Sequence, residues 1–465
     1  MLEFSKIRSC SKFDVFTFAV AFFSLVVFLV AVVDFSSSLF WRHDSVYYLS
    51  SYGYKVPQEG RWINYIFFHV IKLIPPLLAL FSSYSLLFLF FFTAIKRYTN
   101  NAPYSFLVGV VVISTPLWFA QFEWPVTTLP ALLILALIPF FYTRLPGFVF
   151  FPLASVLFFG TFSSFYFFIP LLFLNCPTKK HCINKLFFWA FSFPVGYLVA
   201  NCAVFVVKGH WIEVADWRNP HPVASWPQLV ENIMHNVFRM MKHLNMMFEV
   251  TSKALLLPMM VFSVLFFENR LARVMLFVSS AAALYITTIP IGIQISPRTA
   301  VVFWVPLLLL VLVVRFRSRW QSVVYPMLAA VFFGLLMMSS IEHISWYKAL
   351  TGRMVSQIEQ ALGPVDQRTA GVKFYVDKTS WDLWLEHVAR EESVNSVFSE
   401  KISGYYYWQS LLVSLGYEDV KVLESSERKD CSTLVGQHSD NPFVVQGANE
   451  NVVTIRFCYL GGETL

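Results

Sequence analysis

Long apolar runs recur along most of this chain and constrain its fold more than any other feature. A helix needs about 20 apolar residues to cross a bilayer, and only helices or closed barrels satisfy their backbone polar groups in lipid. The chain is 57% hydrophobic, only 14% charged and contains 50 phenylalanines. That balance excludes an ordinary soluble protein, so the sequence predicts a polytopic α-helical membrane protein.

The apolar runs predict about eleven transmembrane helices. Lys or Arg occurs in every predicted inner loop, beginning with Lys6, Arg8 and Lys12 ahead of the first span, whereas the short outer turns near 122 and 161 have none. This distribution places the N-terminus in the cytoplasm, and it explains the net charge of +7 without nucleic-acid binding. The predicted spans are 15–33, 76–95, 104–120, 125–142, 148–160, 162–174, 186–207, 253–267, 274–291, 299–314 and 323–338; the pair 148–160 and 162–174 is short enough to be re-entrant instead.

A change in composition divides the chain into a membrane domain, 1–338, and an outer domain, 339–465. Residues 348–362 continue as a helix, and strand-like runs then alternate with helical patterns, which predicts a small α/β domain. Two amphipathic segments, 61–74 and the second half of 208–248, are predicted to lie in the outer interface. The strand-like runs are 372–376, 420–423, 442–445 and 452–457.

Two cysteines, Cys431 and Cys458, fall in the outer domain. In an oxidising compartment they could form one disulfide bond, which would contribute about 3 kcal/mol on the chain-entropy model. Two unpaired thiols are the alternative.

Asp44 is the first candidate for catalysis. An ionised carboxylate beside a bilayer is energetically costly unless it is paired, and such acids therefore indicate functional sites. As a general base it would deprotonate an acceptor hydroxyl. Its neighbours Arg42 and His43 could instead pair with it structurally. Asp34, at the mouth of the first span, is predicted to be a solvated residue at a helix end.

Four other residues are candidates for substrate binding. Arg61 follows Gly60 and would project from the first turn of the interfacial helix, and Arg298 lies in the outer turn Ser296-Pro297-Arg298-Thr299. A planar guanidinium suits a phosphate. Glu123 could orient an acceptor hydroxyl, and Trp62 could stack on a sugar, although aromatic belts also explain interfacial tryptophans.

No metal or nucleotide site is predicted. The outer-loop histidines His210, His221, His235 and His243 match no zinc spacing, and no glycine-rich phosphate loop or nucleophile elbow is present. We therefore expect no cofactor.

The stretch Asp44-Ser-Val-Tyr-Tyr-Leu-Ser-Ser-Tyr-Gly-Tyr, followed by Gly60-Arg61-Trp62, resembles the GtrII-type membrane glucosyltransferases that modify bacterial O-antigen from the periplasm. The general layout is similar to the GT-C glycosyltransferases. Where the GtrII pattern has two adjacent acids, this chain has His43-Asp44, so His43 joins Arg61, Arg298, Glu123 and Trp62 as a binding candidate.

The resemblance implies a GT-C-like fold in the bacterial inner membrane with a periplasmic C-terminal domain. It also implies a polyprenyl-phosphate sugar as donor, usually of glucose, a lipid-linked glycan as acceptor, inversion at the anomeric carbon and no metal. Another polyprenyl-phosphate-sugar transferase, an O-antigen polymerase, a lipid or sugar transporter and a scaffold protein remain the alternatives.

Overall fold

The computed structural model is mostly helical and describes most of the membrane domain. The described residues are 12–37, 55–123, 125–176, 178–214, 218–266, 270–293, 295–316, 318–362, 371–376, 381, 383–384, 387–388, 412, 420–424, 443–449 and 452–458. The chain divides into two compact units, Met1–Val32 with Tyr52–Ser340 and Val33–Ser51 with Ile341–Leu465. The boundary predicted after residue 338 is close to this division, except that 33–51 groups with the second unit.

The described part of the chain contains fourteen α-helices. They are α1 Lys12–Ser36, α2 Lys55–Glu59, α3 Trp62–Ile71, α4 Pro76–Thr99, α5 Ala102–Ile113, α6 Pro116–Gln121, α7 Pro125–Tyr142, α8 Gly147–Phe159, α9 Lys179–Lys208, α10 Trp226–Thr251, α11 Lys253–Phe266, α12 Arg270–Thr288, α13 Val301–Leu312 and α14 Gln321–Leu362. Two 3-10 helices, Ser163–Phe173 and Pro297–Ala300, lie before α9 and α13.

Six of the described helices are long and apolar enough to cross a membrane, or seven if the bent pair Trp226–Thr251 and Lys253–Leu265 is one span. This confirms a multi-span membrane protein, and the count of eleven stays a prediction. Five shorter apolar helices have 10–17 residues. Among them, every residue of α13 is buried. Helix α13 therefore lies in the interior of the unit, while long helices such as α1 and α9 expose apolar side chains outward.

The cations that the sequence assigns to inner loops meet at one end of the first unit. The Arg97 guanidinium donates to the Pro139 carbonyl at 2.7 Å. The Arg315 guanidinium donates to the Tyr98 carbonyl at 2.7 Å and to the Asn175 side chain at 2.8 Å. We call this the predicted inner end, and the opposite end the predicted outer end.

Helices α8 and α9 pack closely at a glycine. A Cβ atom at Gly196 would lie 2.8 Å from the carbonyl carbon of Ser155, which is backbone and cannot move aside cheaply.

We expect Gly196→Ala to push the helices apart and lower stability by about 1–3 kcal/mol. Thermal unfolding of the purified protein in detergent measures this. Gly334→Ala, where nothing lies within 4 Å, is the matched control and should be neutral or slightly stabilising; equal melting temperatures would contradict the close approach.

Helix α10 turns its polar side toward the protein. Its Asn236 side chain donates to the Tyr285 carbonyl at 2.8 Å, and its Asn232 side chain donates to the Ile289 carbonyl at 3.0 Å. Backbone carbonyls at a helix C-terminus lack backbone partners within the helix. The asparagine side chains of α10 therefore supply hydrogen-bond donors to the C-terminal end of α12. The opposite side of α10 is apolar and open, with Trp226 77% and Phe238 71% exposed.

The orientation of α10 differs in part from the one predicted for an interfacial helix. The sequence places His235, Arg239, Lys242 and His243 along one helical face, and in an interfacial helix that face would lie toward headgroups or water. His235 and Lys242 are indeed exposed. Arg239 instead donates to the Ile293 carbonyl at 2.8 Å, and His243 Nδ1 is 2.6 Å from the Tyr285 hydroxyl. Helical periodicity identifies two faces but does not tell which one contacts protein.

We expect Asn236→Leu to lower stability by about 1–3 kcal/mol, because the Asn236 amide donates to both the Tyr285 carbonyl and the Thr288 hydroxyl and leucine cannot replace either bond. Met234→Leu, two residues away on the exposed face, should change little. Melting temperatures in detergent compare the two variants. A larger effect at Met234 than at Asn236 would contradict the orientation of α10.

The second unit contains a four-stranded sheet with strand order β2-β1-β4-β3. The strands are β1 Gly371–Val376, β2 Val420–Glu424, β3 Phe443–Asn449 and β4 Val452–Phe457. Strand β1 pairs in parallel with β2 and β4, and β3 is antiparallel to β4. All four predicted strand runs are confirmed, and residues 348–362 continue α14 as expected.

Cys458, directly after β4, takes part in a disulfide bond. Its predicted partner, Cys431, lies outside the described residues. Bonding of Cys458 excludes the alternative in which both outer-domain cysteines are unpaired thiols. The pairing with Cys431 itself stays a prediction.

Candidate functional site

The turn before α3 fixes the position of Arg61. Gly60 has φ +70°, a conformation that favours glycine, and its N–H donates to the Val56 carbonyl at 2.9 Å. A side chain there would also meet Ile212, since a Cβ would lie 2.7 Å from its Cδ1 atom. The turn ends α2 at Glu59 and starts α3 after Arg61, so these two side chains become neighbours.

The Arg61 guanidinium is held from two directions. It forms an ion pair with the Glu59 carboxylate, and the exposed fractions of the two side chains are 12% and 4%. It also lies over the ring of Phe162, with 4.9 Å from the guanidinium carbon to the ring centroid. Ion pairing and stacking together restrict the guanidinium to one orientation.

Arg218 brings a second guanidinium to the same carboxylate. Its Nη2 atom lies 3.5 Å from Glu59 Oε1. Burial lowers the pKa of the Arg218 guanidinium, Glu59 opposes that effect, and the charges of Arg61 and Arg298 lower the pKa further. Arg61 and Arg298 are therefore both close enough to Arg218 to repel it.

Backbone hydrogen bonds position the segment that carries Arg218. The Glu213 N–H donates to the Pro57 carbonyl at 2.9 Å, and the His221 N–H donates to the Ile291 carbonyl at 3.0 Å. The first bond ties the segment to α2. The second ties it to the chain just before Arg298.

Arg298 and Glu123 lie on elements that pack together. Arg298 belongs to the 3-10 helix Pro297–Ala300, which contacts α6, and Glu123 follows α6 as a buried residue. Helix α7 begins two residues later, and its Thr127 carbonyl accepts from the Asn64 side chain of α3 at 3.0 Å. The elements carrying Arg61, Glu123 and Arg298 thus converge at the predicted outer end.

Trp62 lies against the turn between α8 and the following 3-10 helix. The Ile63 N–H donates to the Gly160 carbonyl at 2.9 Å, and a Cβ at Gly160 would be 3.0 Å from Trp62 Nε1. This packing against the turn accounts for the position of the indole. A role in stacking on a sugar stays a prediction.

Two residues of the predicted site, Asp44 and His43, lie outside the described residues. Their relation to the arginines remains the one that the sequence predicts.

Two members of the site were missed by sequence reasoning. Glu59 stands directly before Gly60-Arg61, and an acid two residues from an arginine across a glycine turn is a signal for an ion pair. Arg218 gave a weaker signal as one basic residue in a long outer loop. Its place depends on a pairing across more than 150 residues of chain, which no local pattern encodes.

The cluster formed by Arg61, Arg218, Arg298 and Glu59 is suited to an anion with several oxygens. Guanidinium groups present planar pairs of donors that match phosphate or carboxylate oxygens. Partial burial strengthens such interactions relative to water. Among the described residues, no group of three or more His, Cys, Asp or Glu side chains could hold a metal ion.

Comparison with known proteins returns no match for this chain among family models, curated proteins or solved structures.

Proposed function

We propose that this protein is a hexosyltransferase that transfers a sugar, glucose in the first instance, from a polyprenyl-phosphate donor to a lipid-linked glycan. The reaction takes place on the periplasmic side of the bacterial inner membrane. The observation that supports this most is that Arg61 and Arg218 both pair with the Glu59 carboxylate, with Arg298 near enough for its charge to act on Arg218. The resemblance of the 44–62 stretch to GtrII-type enzymes supplies the sugar and the acceptor class.

The proposed chemistry is a single displacement at the anomeric carbon. An acceptor hydroxyl loses its proton to the Asp44 carboxylate, its oxygen forms a bond to the anomeric carbon, and the bond from that carbon to the lipid phosphate oxygen breaks. The leaving phosphate gains one negative charge. Guanidinium groups already in place stabilise that charge as it develops.

The location of the cluster fits a substrate carried by a lipid. A polyprenyl phosphate places its phosphate at the membrane surface and its chain among the spans. The arginine cluster lies where short loops and helix ends meet, within a unit built from helices able to cross a membrane. The cations near Tyr98 and Asn175 form a separate group at the predicted inner end. A nucleotide is not required in this scheme.

An O-antigen polymerase is the second candidate, and one observation favours it. A polymerase is expected to rely on arginine-rich outer loops, and a single arginine at Arg298 would argue mildly against it. The pairing of Arg61 and Arg218 with Glu59, together with the effect of the Arg298 charge on Arg218, removes that objection. A transporter of the inverted-repeat type would need paired broken helices; within the described residues, one sharply bent pair is found.

Mass spectrometry of surface polysaccharide, with and without this protein, tests the proposal. A transferase adds one hexose to each repeat and leaves the distribution of chain lengths unchanged. A polymerase changes chain length without changing the repeat. Identical polysaccharide in both strains would contradict both functions.

A biochemical test follows with the purified protein. It is incubated with polyprenyl-phosphoglucose and a lipid-linked glycan acceptor, and the product is analysed by mass. Transfer without added divalent metal is expected.

A further inference from the structure

We infer that Glu59 is a positioning residue that sets the Arg61 and Arg218 guanidinium groups as a pair that receives one phosphate group. This inference rests on the proposed function and assigns separate roles within its site to Glu59 and Arg218. Glu59 does not touch substrate in this scheme; it acts through the two arginines.

The Glu59 carboxylate is shared between two cationic partners. Arg61 Nη2 pairs with Glu59 Oε2, and Arg218 Nη2 approaches Glu59 Oε1 at 3.5 Å. Each guanidinium thus has its own oxygen. The width of one carboxylate sets the separation of the two cations, which would otherwise repel each other.

The backbone at Glu59 is rigid. Glu59 is the last residue of α2, between the bond from Gly60 N–H to the Val56 carbonyl and the bond from Glu213 N–H to the Pro57 carbonyl, both 2.9 Å. Its side chain is 4% exposed. A buried carboxylate on a fixed backbone holds its partners in a defined place, as preorganised binding of a phosphate requires.

The positioning role of Glu59 is distinct from acid–base catalysis. A carboxylate next to two guanidinium groups is stabilised in its charged form and is a poor proton acceptor. Glu59 is therefore unsuited to activate a hydroxyl. Removing its charge should weaken phosphate binding because Arg61 and Arg218 lose their common anchor.

Direct binding tests the inference, using full-length protein in lipid nanodiscs. The probes are undecaprenyl phosphate and, as the uncharged control, undecaprenol, each detected by native mass spectrometry. We expect wild type to prefer the phosphate. Glu59→Gln should weaken phosphate binding roughly tenfold, the size expected for loss of a charged hydrogen-bonding partner, with undecaprenol binding unchanged.

Two further variants keep the test decisive. Glu213→Gln removes an exposed acid from the same segment, whose side chain pairs with His210 at 3.6 Å, and should bind like wild type. Arg218→Gln should lose about as much affinity as Glu59→Gln, and the double variant should lose little more, because residues that act as one unit are not additive. If Glu59→Gln is too unstable to purify, Arg218→Gln still tests the pair, since binding of undecaprenyl phosphate equal to wild type in that variant would overturn the inference.

The outcomes distinguish the two levels of the argument. Equal binding of undecaprenyl phosphate by wild type and Glu59→Gln overturns the inference and leaves the proposed function standing. Additive losses in the double variant also overturn it. Failure of wild type to prefer the phosphate over undecaprenol overturns both.

Discussion

Asp44→Asn is expected to abolish sugar transfer while membrane insertion and abundance stay normal. The amide keeps the size of the carboxylate but cannot accept the proton of the acceptor hydroxyl. Positioned proton transfer typically contributes about 10²–10⁴-fold in rate. Hexose content of the surface polysaccharide and transfer by purified protein both measure the effect, with immunoblots of membranes as the check on abundance.

The matched control is Asp34→Asn. Asp34 also lies near the end of the first span, but it is half exposed and forms an ion pair with Lys348. Exposed ion pairs contribute about 0–1 kcal/mol, so this variant should retain activity. Transfer that persists in Asp44→Asn would move the base elsewhere, first to Glu123, and Glu123→Gln would then be the next variant to assay.

Arg61→Ala and Arg298→Ala are expected to reduce use of the polyprenyl-phosphate donor by about 10²–10³-fold each, the usual effect of removing one donor to a developing oxyanion. Arg61→Lys should also be impaired, because an ammonium group keeps the charge but loses the planar fork. The measurement is the rate of transfer as a function of donor concentration.

Stability must be measured beside activity for these variants. Loss of Arg61 removes one ion-pair partner from the buried Glu59 carboxylate, and breaking a buried ion pair is destabilising. Arg144→Ala is the control: Arg144 is exposed and stacks on Phe140 with 3.7 Å to the ring centroid. If donor dependence is the same as wild type in both Arg61→Ala and Arg298→Ala, neither residue binds the phosphate.

The long helices and the strands could be predicted from the sequence, because hydrophobic runs and the alternation of apolar and polar residues are local patterns. The predicted span 125–142 coincides with α7, and the predicted strand 452–457 coincides with β4. Interruptions were harder. The predicted span 104–120 is divided into α5 and α6 around Ser114 and Thr115, because the following Pro116 disfavours a helical conformation at Thr115.

The site was only partly readable for a different reason. Arg61 and Arg298 were identified as cations in apolar surroundings with a nearby turn residue. Their relation to Arg218 depends on hydrogen bonds that join 213 to 57 and 221 to 291. Contacts between distant segments produce no periodic pattern in the sequence. For the same reason, the sequence did not indicate which side of α10 contacts the protein.

The wide spacing of these arginines along the chain has a consequence for biosynthesis. Arg61, Arg218 and Arg298 enter the membrane at different stages of translation, and N-terminal segments form first. The proposed anion site is therefore incomplete until Arg298 has left the ribosome. A chain truncated before that point would insert its early helices yet lack affinity for lipid phosphate, whereas co-expressed halves cut between Arg218 and Arg298 would restore it on reassembly.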